Sequence, residues 1–231
     1  MRARGTARYP SYKSFDRFID VEWLKSLDSY VTERIERRLT VARDLAFYTG
    51  PFVLETDASR LPGSRLIRLS ESGKADNYYD LDRTDLWRPT PEAAEFSELT
   101  AFIDTLPFKA TGRIIIIYDD SGGRVPAHRD HDDPDLCHEF IWFRTNLAKP
   151  FYMLEPKTGR KLYVESHAAW FDTVNQFHGA DETGNLSFSI RVDGIFSDEF
   201  RNEIPYPSTN RSAAPALWET DGRAIADGSE G

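Results

Sequence analysis

Apolar positions divide this chain into a helical first part and a strand-rich second part. From Val21 to about Asp44, Val21, Leu24, Leu27, Tyr30, Val31, Ile35, Leu39 and Ala42 recur at intervals of three and four, with acidic and basic residues between them. That period predicts one amphipathic helix with a solvated charged face. A second helix is expected from Pro91 to about Thr105, because proline suits the first helical position and Glu92 suits the positive end of the helix dipole. Between them, Gly50-Pro51 followed by Phe-Val-Leu-Glu predicts a turn and a short strand. The alternating run Arg65–Ser70 is expected to pair with that strand, and residues 71–90 read as loop. Arg113–Asp119 is an isoleucine-rich run and predicts a strand buried on both faces, turned by Ser121-Gly122-Gly123. Further strands are expected at His138–Thr145, Phe151–Glu155, Lys161–Glu165, Ala169–Val174 and Leu186–Phe196. Pro156-Lys157-Thr158-Gly159 forms the hairpin turn between two of them.

Helices followed by many short strands imply an α+β class, with N-terminal helices flanking an antiparallel barrel or jelly roll. At 231 residues the chain is expected to form a single domain. It would comprise a loose arm at 1–14, a helical and mixed support region at 15–112, a β-barrel core at 113–200 and an extended or disordered tail at 203–231. Fifteen Phe, ten Tyr and five Trp favour a folded chain. The net charge of −9 argues against a non-specific nucleic-acid binder. No apolar run approaches the roughly 18 residues of a membrane span. Cys137 has no second cysteine to pair with, which suits a reducing compartment. No signal-peptide core follows the basic start, so a cytoplasmic location is expected. The oligomeric state is left open.

The candidate chemistry sits between Arg124 and Arg191. Residues two apart on an extended segment face the same side, so His128 and Asp130 can present an imidazole and a carboxylate to one metal ion. His178, from a distant strand, would complete two histidines and one carboxylate, a donor set typical of non-haem Fe(II) oxygenases. A competing pair, His131-x-Asp133, lies in a segment of turn composition, Asp132-Asp133-Pro134, and is the weaker choice. On the last strand Ser187, Ser189, Arg191 and Asp193 share one face by alternation. Arg191 offers a planar fork for a carboxylate, with Ser189 beside it; a structural salt bridge to Asp172 or Asp193 is its other reading. His138, between strand-forming aromatics, reads as a core histidine or as a co-substrate contact. His167 reads as a surface-loop residue. The acidic run from Asp130 to Asp135 reads as a solvated loop, or as a lure for a cationic group.

Pro126-Ala127-His128-Arg129-Asp130, Arg144-Thr145-Asn146, Trp170-Phe171-Asp172, His178 and the closing Val192-Asp193 resemble the iron(II)/2-oxoglutarate-dependent oxygenases, in particular their aspartyl/asparaginyl β-hydroxylase-like branch. The resemblance covers roughly residues 113–196. It implies a double-stranded β-helix (a cupin-like jelly roll), iron held by His128, Asp130 and His178, and 2-oxoglutarate and O2 as co-substrates. It also implies hydroxylation of an unactivated C–H bond with release of succinate and carbon dioxide. Two places depart from the branch. His138 and Phe140 stand where it has an Arg-x-His pair, and Ser187 stands where it has its anchoring arginine, so Arg191 would take that role from a shifted position. Modest size and acidity suggest a small-molecule substrate resembling a free amino acid. Hydroxylation of a peptide or protein side chain, or a ligand-binding barrel without catalysis, are the alternatives.

Overall fold

The computed structural model describes residues 10–39, 45–46, 52–53, 64–73, 78–131, 133 and 136–201. Residues 1–9 of the expected arm, the expected 203–231 tail and most of the expected Phe47–Glu55 segment lie outside them. The first part of the chain contains β1 (Lys13–Ser14), α1 (Val21–Ser26), α2 (Asp28–Leu39), β2 (Leu45–Ala46), β3 (Phe52–Val53), β4 (Ser64–Arg68), β5 (Ser70–Glu71), β6 (Arg88–Pro89), α3 (Pro91–Glu95) and α4 (Ser97–Ile103). Eight strands follow: β7 (Phe108–Asp119), β8 (Val125–Arg129), β9 (Phe140–Phe143), β10 (Phe151–Leu154), β11 (Lys161–Tyr163), β12 (Ala168–Trp170), β13 (Phe177–Ala180) and β14 (Ser187–Phe196). A short α5 (Asp198–Arg201) closes the described chain.

The eight strands switch between two antiparallel sheets. One has the order β1-β12-β9-β14-β7-β4-β2 and the other β11-β10-β13-β8-β3. Sequence neighbours β7 and β8 lie in opposite sheets, as do β8 and β9, while β14 returns to sit between β9 and β7. This is the double Greek key of a jelly roll, the double-stranded β-helix that the motifs implied. Its long ladder joins Ile190 to Ile116 and Arg191 to Ile115, and β9 flanks β14 on the other side with Ile190 opposite Phe143.

Alternation gives the two faces of the larger sheet different work. Ile116, Phe143 and Ile190 share its outer face and are fully buried. The helices cover them: the Phe102 ring of α4 meets Phe143 at 5.6 Å and Trp23 of α1 at 5.4 Å, both edge-on. Burying each such side chain contributes about 1.5–3 kcal/mol. The inner face carries Arg191, Ser189 and Ser187 toward the second sheet.

Three expectations need correction. The helix expected from Val21 to Asp44 is two helices over its described part. It breaks at Leu27, where the Ser26 hydroxyl donates to the Trp23 carbonyl and Asp28 receives hydrogen bonds from Thr145 and Asn146 of the barrel. Leu24, Leu27, Val31 and Ile35 are all buried, so the apolar period ran unbroken across the kink. The second helix likewise divides at Phe96, whose backbone leaves the helical region (φ −106°, ψ 38°) as its ring enters the core. The Arg65 run pairs with β7 and β2, whereas Phe52–Val53 joins β8 in the opposite sheet, so the expected partnership between those two segments does not form.

Two glycines fix the site's framework. Gly122 turns the chain from β7 to β8 with φ +63°, where a Cβ would lie 2.3 Å from the Asn185 carbonyl oxygen. Gly179, next to His178, lets β13 pass close to β8: a Cβ there would lie 2.6 Å from the Val125 carbonyl oxygen. No helix among the described residues is long and apolar enough to cross a membrane.

Candidate metal centre

His128 lies in β8 and His178 in β13, and the two are direct partners in the ladder between those strands. Pairing places their side chains on the same face, so fifty residues of sequence separation collapse to imidazole centroids 4.4 Å apart. Asp130 follows two residues after His128, where the strand has ended; its amide donates to the Thr173 carbonyl, which fixes the turn. Asp130 Oδ1 lies 3.6 Å from His128 Nε2 and 3.3 Å from His178 Nε2. These spacings match donors sharing one divalent ion at bond lengths of roughly 2.0–2.2 Å. All three residues offer a ligand atom within 4.8 Å of the others.

The tautomers suit ligation. His128 Nδ1 faces the Pro126 carbonyl oxygen at 2.8 Å and His178 Nδ1 faces that of Gln176 at 3.4 Å. A carbonyl only accepts, so each Nδ1 carries a hydrogen, and Nε2 is the nitrogen of each ring that faces Asp130 and could ligate an ion. Burial, reinforced by His178 and opposed by Asp130, pushes His128 down to about 4, so it is neutral and able to ligate. Burial works to raise the Asp130 carboxyl, but the hydrogen bond and charge of His178 and the Arg191 guanidinium hold it well below the usual range. The residues therefore fit a divalent transition metal, and the donor set is that of a ferrous site.

A buried chain of alternating charge supports the carboxylate. Arg113 Nε donates to Asp193 Oδ2 at 3.0 Å, Arg191 Nε donates to Asp193 Oδ1 at 2.9 Å, and Arg191 donates onward to Asp130 Oδ2 at 2.9 Å. Asp193 is wholly enclosed, and Arg113 and Arg191 are nearly so. Of the two structural partners considered for Arg191, Asp193 is the one present; the carboxylate of Asp172 instead caps its own turn, accepting from the amides of Val174 and Asn175 and the side chain of Asn175.

The triad opens onto a cavity of about 270 Å³ between the sheets, walled by Ile115, Ile117, Trp142, Phe151 and Phe171 among others. Ser187, Ser189 and Arg191 line it, as alternation predicted, with Asp119 and Lys149 also in the wall. His138 is not part of that wall: its ring lies edge-on to Tyr78 at 5.0 Å, and its Nδ1 is 3.8 Å from Asp82. His131 stacks on Tyr78 and its Nδ1 accepts from the Asp133 amide; the competing His131-x-Asp133 pair forms no ligand cluster among the described residues. Asp132 lies outside those residues.

Four neighbours of the site carry no sequence signature of their role. Tyr78, in the stretch read as loop, donates to Asp130 Oδ2 at 2.6 Å. Burial and the Asp130 charge push its phenol well above the ordinary value, so it stays a donor. Thr173 holds the Tyr78 hydroxyl at 3.0 Å. Gln176, two before His178, is clasped to Ser11 by two hydrogen bonds. Lys149 pairs with Asp119 at 3.3 Å.

No protein-family model matches this chain, and no curated protein matches it. Among solved structures, a Pseudomonas putida prolyl-4-hydroxylase is 14% identical, with a TM-score of 0.44 over 79% of this chain and 91% of its own. A prolyl hydroxylase from Trichoplax adhaerens, solved with a hypoxia inducible factor peptide fragment, is 12% identical, with a TM-score of 0.43 over 76% and 81%. A 2OG-Fe(II) oxygenase family oxidoreductase from Burkholderia pseudomallei is 12% identical, with a TM-score of 0.35 over 58% and 72%. The aspartyl/asparaginyl branch expected from the motifs is not among these three. Identities this low leave the chemistry to be decided by the side chains themselves.

Proposed function

We propose that this protein is an Fe(II)/2-oxoglutarate-dependent oxygenase that hydroxylates a C–H bond of a small, amino-acid-like molecule. The observation that carries the reading is the meeting of His128, Asp130 and His178 in the wall of a largely apolar cavity inside a jelly roll. Ferrous iron, when bound, supplies the one-electron chemistry with dioxygen that no side chain here can supply. The balance is one 2-oxoglutarate, one O2 and one C–H bond giving succinate, carbon dioxide and an alcohol. The protein's own part is to fix three ligands, exclude water and hold the keto acid. A volume of about 270 Å³ lies just under the range of about 300–1,000 Å³ common for ligand pockets, which favours small molecules.

The remote carboxylate of 2-oxoglutarate needs a cation in the cavity wall. Arg191, expected from the sequence to hold it with Ser189, gives its fork to Asp193 and Asp130. Arg113 is paired with Asp193, and Arg144 donates to the carbonyls of Lys149 and Val164. Among the described residues the Lys149 amine pairs with Asp119 by a single contact, and burial lowers its pKa, so an incoming carboxylate would be a welcome partner. These contacts support Lys149, with Ser187 in the same wall, over Arg191 for the carboxylate.

The test is succinate release by the Fe(II)-loaded protein under air, across a panel of free amino acids, with products followed by a 16-dalton gain. Turnover that disappears in His178→Ala is expected, as is a KM for 2-oxoglutarate raised at least tenfold in Lys149→Met. Absence of 2-oxoglutarate consumption with every candidate, or turnover retained in His178→Ala, would overturn the reading. Turnover of a polypeptide but of no free amino acid would move the substrate class to side-chain hydroxylation.

A further inference from the structure

Asp130 has two oxygens, and they face different surroundings. Oδ1 looks toward the two imidazole Nε2 atoms, at 3.6 and 3.3 Å. Oδ2 is turned away from them and receives two donors, the Tyr78 hydroxyl at 2.6 Å and the Arg191 guanidinium at 2.9 Å. A carboxylate oxygen has about two lone-pair positions, so these donors fill it. The Tyr78 hydroxyl has one hydrogen, and it is committed to Oδ2. Thr173 Oγ1, 3.0 Å away, therefore donates to the phenol oxygen and fixes its direction. The ring is held as well, stacked on His131 at 5.3 Å and edge-on to His138 at 5.0 Å.

We propose that Tyr78 is a positioning residue of the metal centre: with Arg191 it retains Oδ2 of Asp130, so that the carboxylate can offer only Oδ1 to the ion. A carboxylate free to rotate could bind through both oxygens and so take a second coordination position. Holding one oxygen keeps that position for incoming ligands. Tyr78 does this from a segment outside the eight barrel strands, 52 residues before Asp130, with its side chain in the cavity wall, which ties the support region to the site. The proposal rests on the reading of His128, Asp130 and His178 as metal ligands.

The experiment is a titration of the purified protein with Co(II), following its visible absorption bands, whose intensity reports coordination number. The variants are Tyr78→Phe, Tyr78→Leu, Thr173→Val and His178→Ala, each checked for fold by circular dichroism. One equivalent of Co(II) bound by the wild type, with binding lost in His178→Ala, establishes the centre. Tyr78→Phe and Tyr78→Leu are then expected to weaken binding alike, by about 10–100-fold, as outer-shell partners of ligands do. Their visible bands should also weaken, through a gain in coordination number, and Thr173→Val should show a smaller loss. Tyr78→Phe binding within twofold of the wild type, with an unchanged spectrum, overturns the proposal. So does a loss confined to Tyr78→Leu, because the ring would then act only by packing. Failure of the wild type to bind Co(II), or unchanged binding in His178→Ala, overturns the metal centre itself and the proposal with it.

Discussion

Asp193→Asn tests whether the buried charges are a balanced set. Asp193 is wholly enclosed and receives Arg113 Nε at 3.0 Å and Arg191 Nε at 2.9 Å. With Asp130 the four side chains alternate in sign and sum to zero. Asparagine has the same shape, so no cavity arises and no backbone need move. What changes is that Arg113 loses the carboxylate it is paired with, Arg191 keeps only Asp130, and the new amide turns a donor toward one of the two guanidinium groups. Removing one partner of a buried ion pair costs about 3–5 kcal/mol, against a total stability on the order of 5–15 kcal/mol. At a urea m-value of about 3 kcal/mol/M, suited to a chain of this size, the midpoint should fall by roughly 1–1.7 M. The assay is urea unfolding followed by both tryptophan fluorescence and circular dichroism, whose coincidence checks the two-state assumption. A second variant sharpens it: Arg113→Met with Asp193→Asn removes one cation along with the anion and should recover at least about 1 kcal/mol of the loss. A single variant within about 1 kcal/mol of wild type, or a double variant weaker than the single, would refute the reasoning.

Two further outcomes are expected. Burial pushes the Cys137 thiol up to about 12, so its proton is held in the fold to far higher pH than in the unfolded chain. That stability is complete below pH 9 and is lost as pH rises beyond it, by about 1.4 kcal/mol per unit. Urea midpoints measured from pH 8 to 10 should fall more steeply for the wild type than for Cys137→Ala, and parallel slopes would refute this. Gln176→Ala removes both hydrogen bonds to Ser11 and leaves its buried backbone groups unsatisfied, a cost of about 1–3 kcal/mol. Amide exchange at Ser11 should quicken at least tenfold, and unchanged protection would show that the clasp does not hold the segment.

The helices and strands were legible wherever a period was long and uniform. Alternation along Ser187–Asp193 correctly turned Ser187, Ser189 and Arg191 toward the cavity, since one side of a strand is set by parity alone. The kinks at Leu27 and Phe96 were not legible, because an apolar stripe continues across a break when both halves lie on the same core. The pairing of Arg65–Arg68 was misjudged for a related reason. Alternation says which side a residue faces and nothing about which strand lies beside it, and β7 outcompeted the nearer segment with a longer ladder.

Among the site residues, the three proposed ligands were legible because metal chemistry restricts them to few residue types at a spacing the backbone dictates. Their supports were not, since a hydroxyl or an amide can brace a carboxylate from anywhere in the fold. Tyr78 stands in a stretch of ordinary turn composition, and nothing at that position separates a surface tyrosine from one at 2.6 Å from Asp130. The same distinction applies to Arg191. Sequence could say that an arginine on the inner face of a barrel needs an anion. It could not say whether that anion is a ligand from solution or a carboxylate of the chain. The enclosed Asp193, two residues on and on the same face, answers first, because an intramolecular partner needs no concentration to be present. An incoming keto acid would have to displace that partner to reach Arg191, whereas at Lys149 it would compete with a single contact at 3.3 Å.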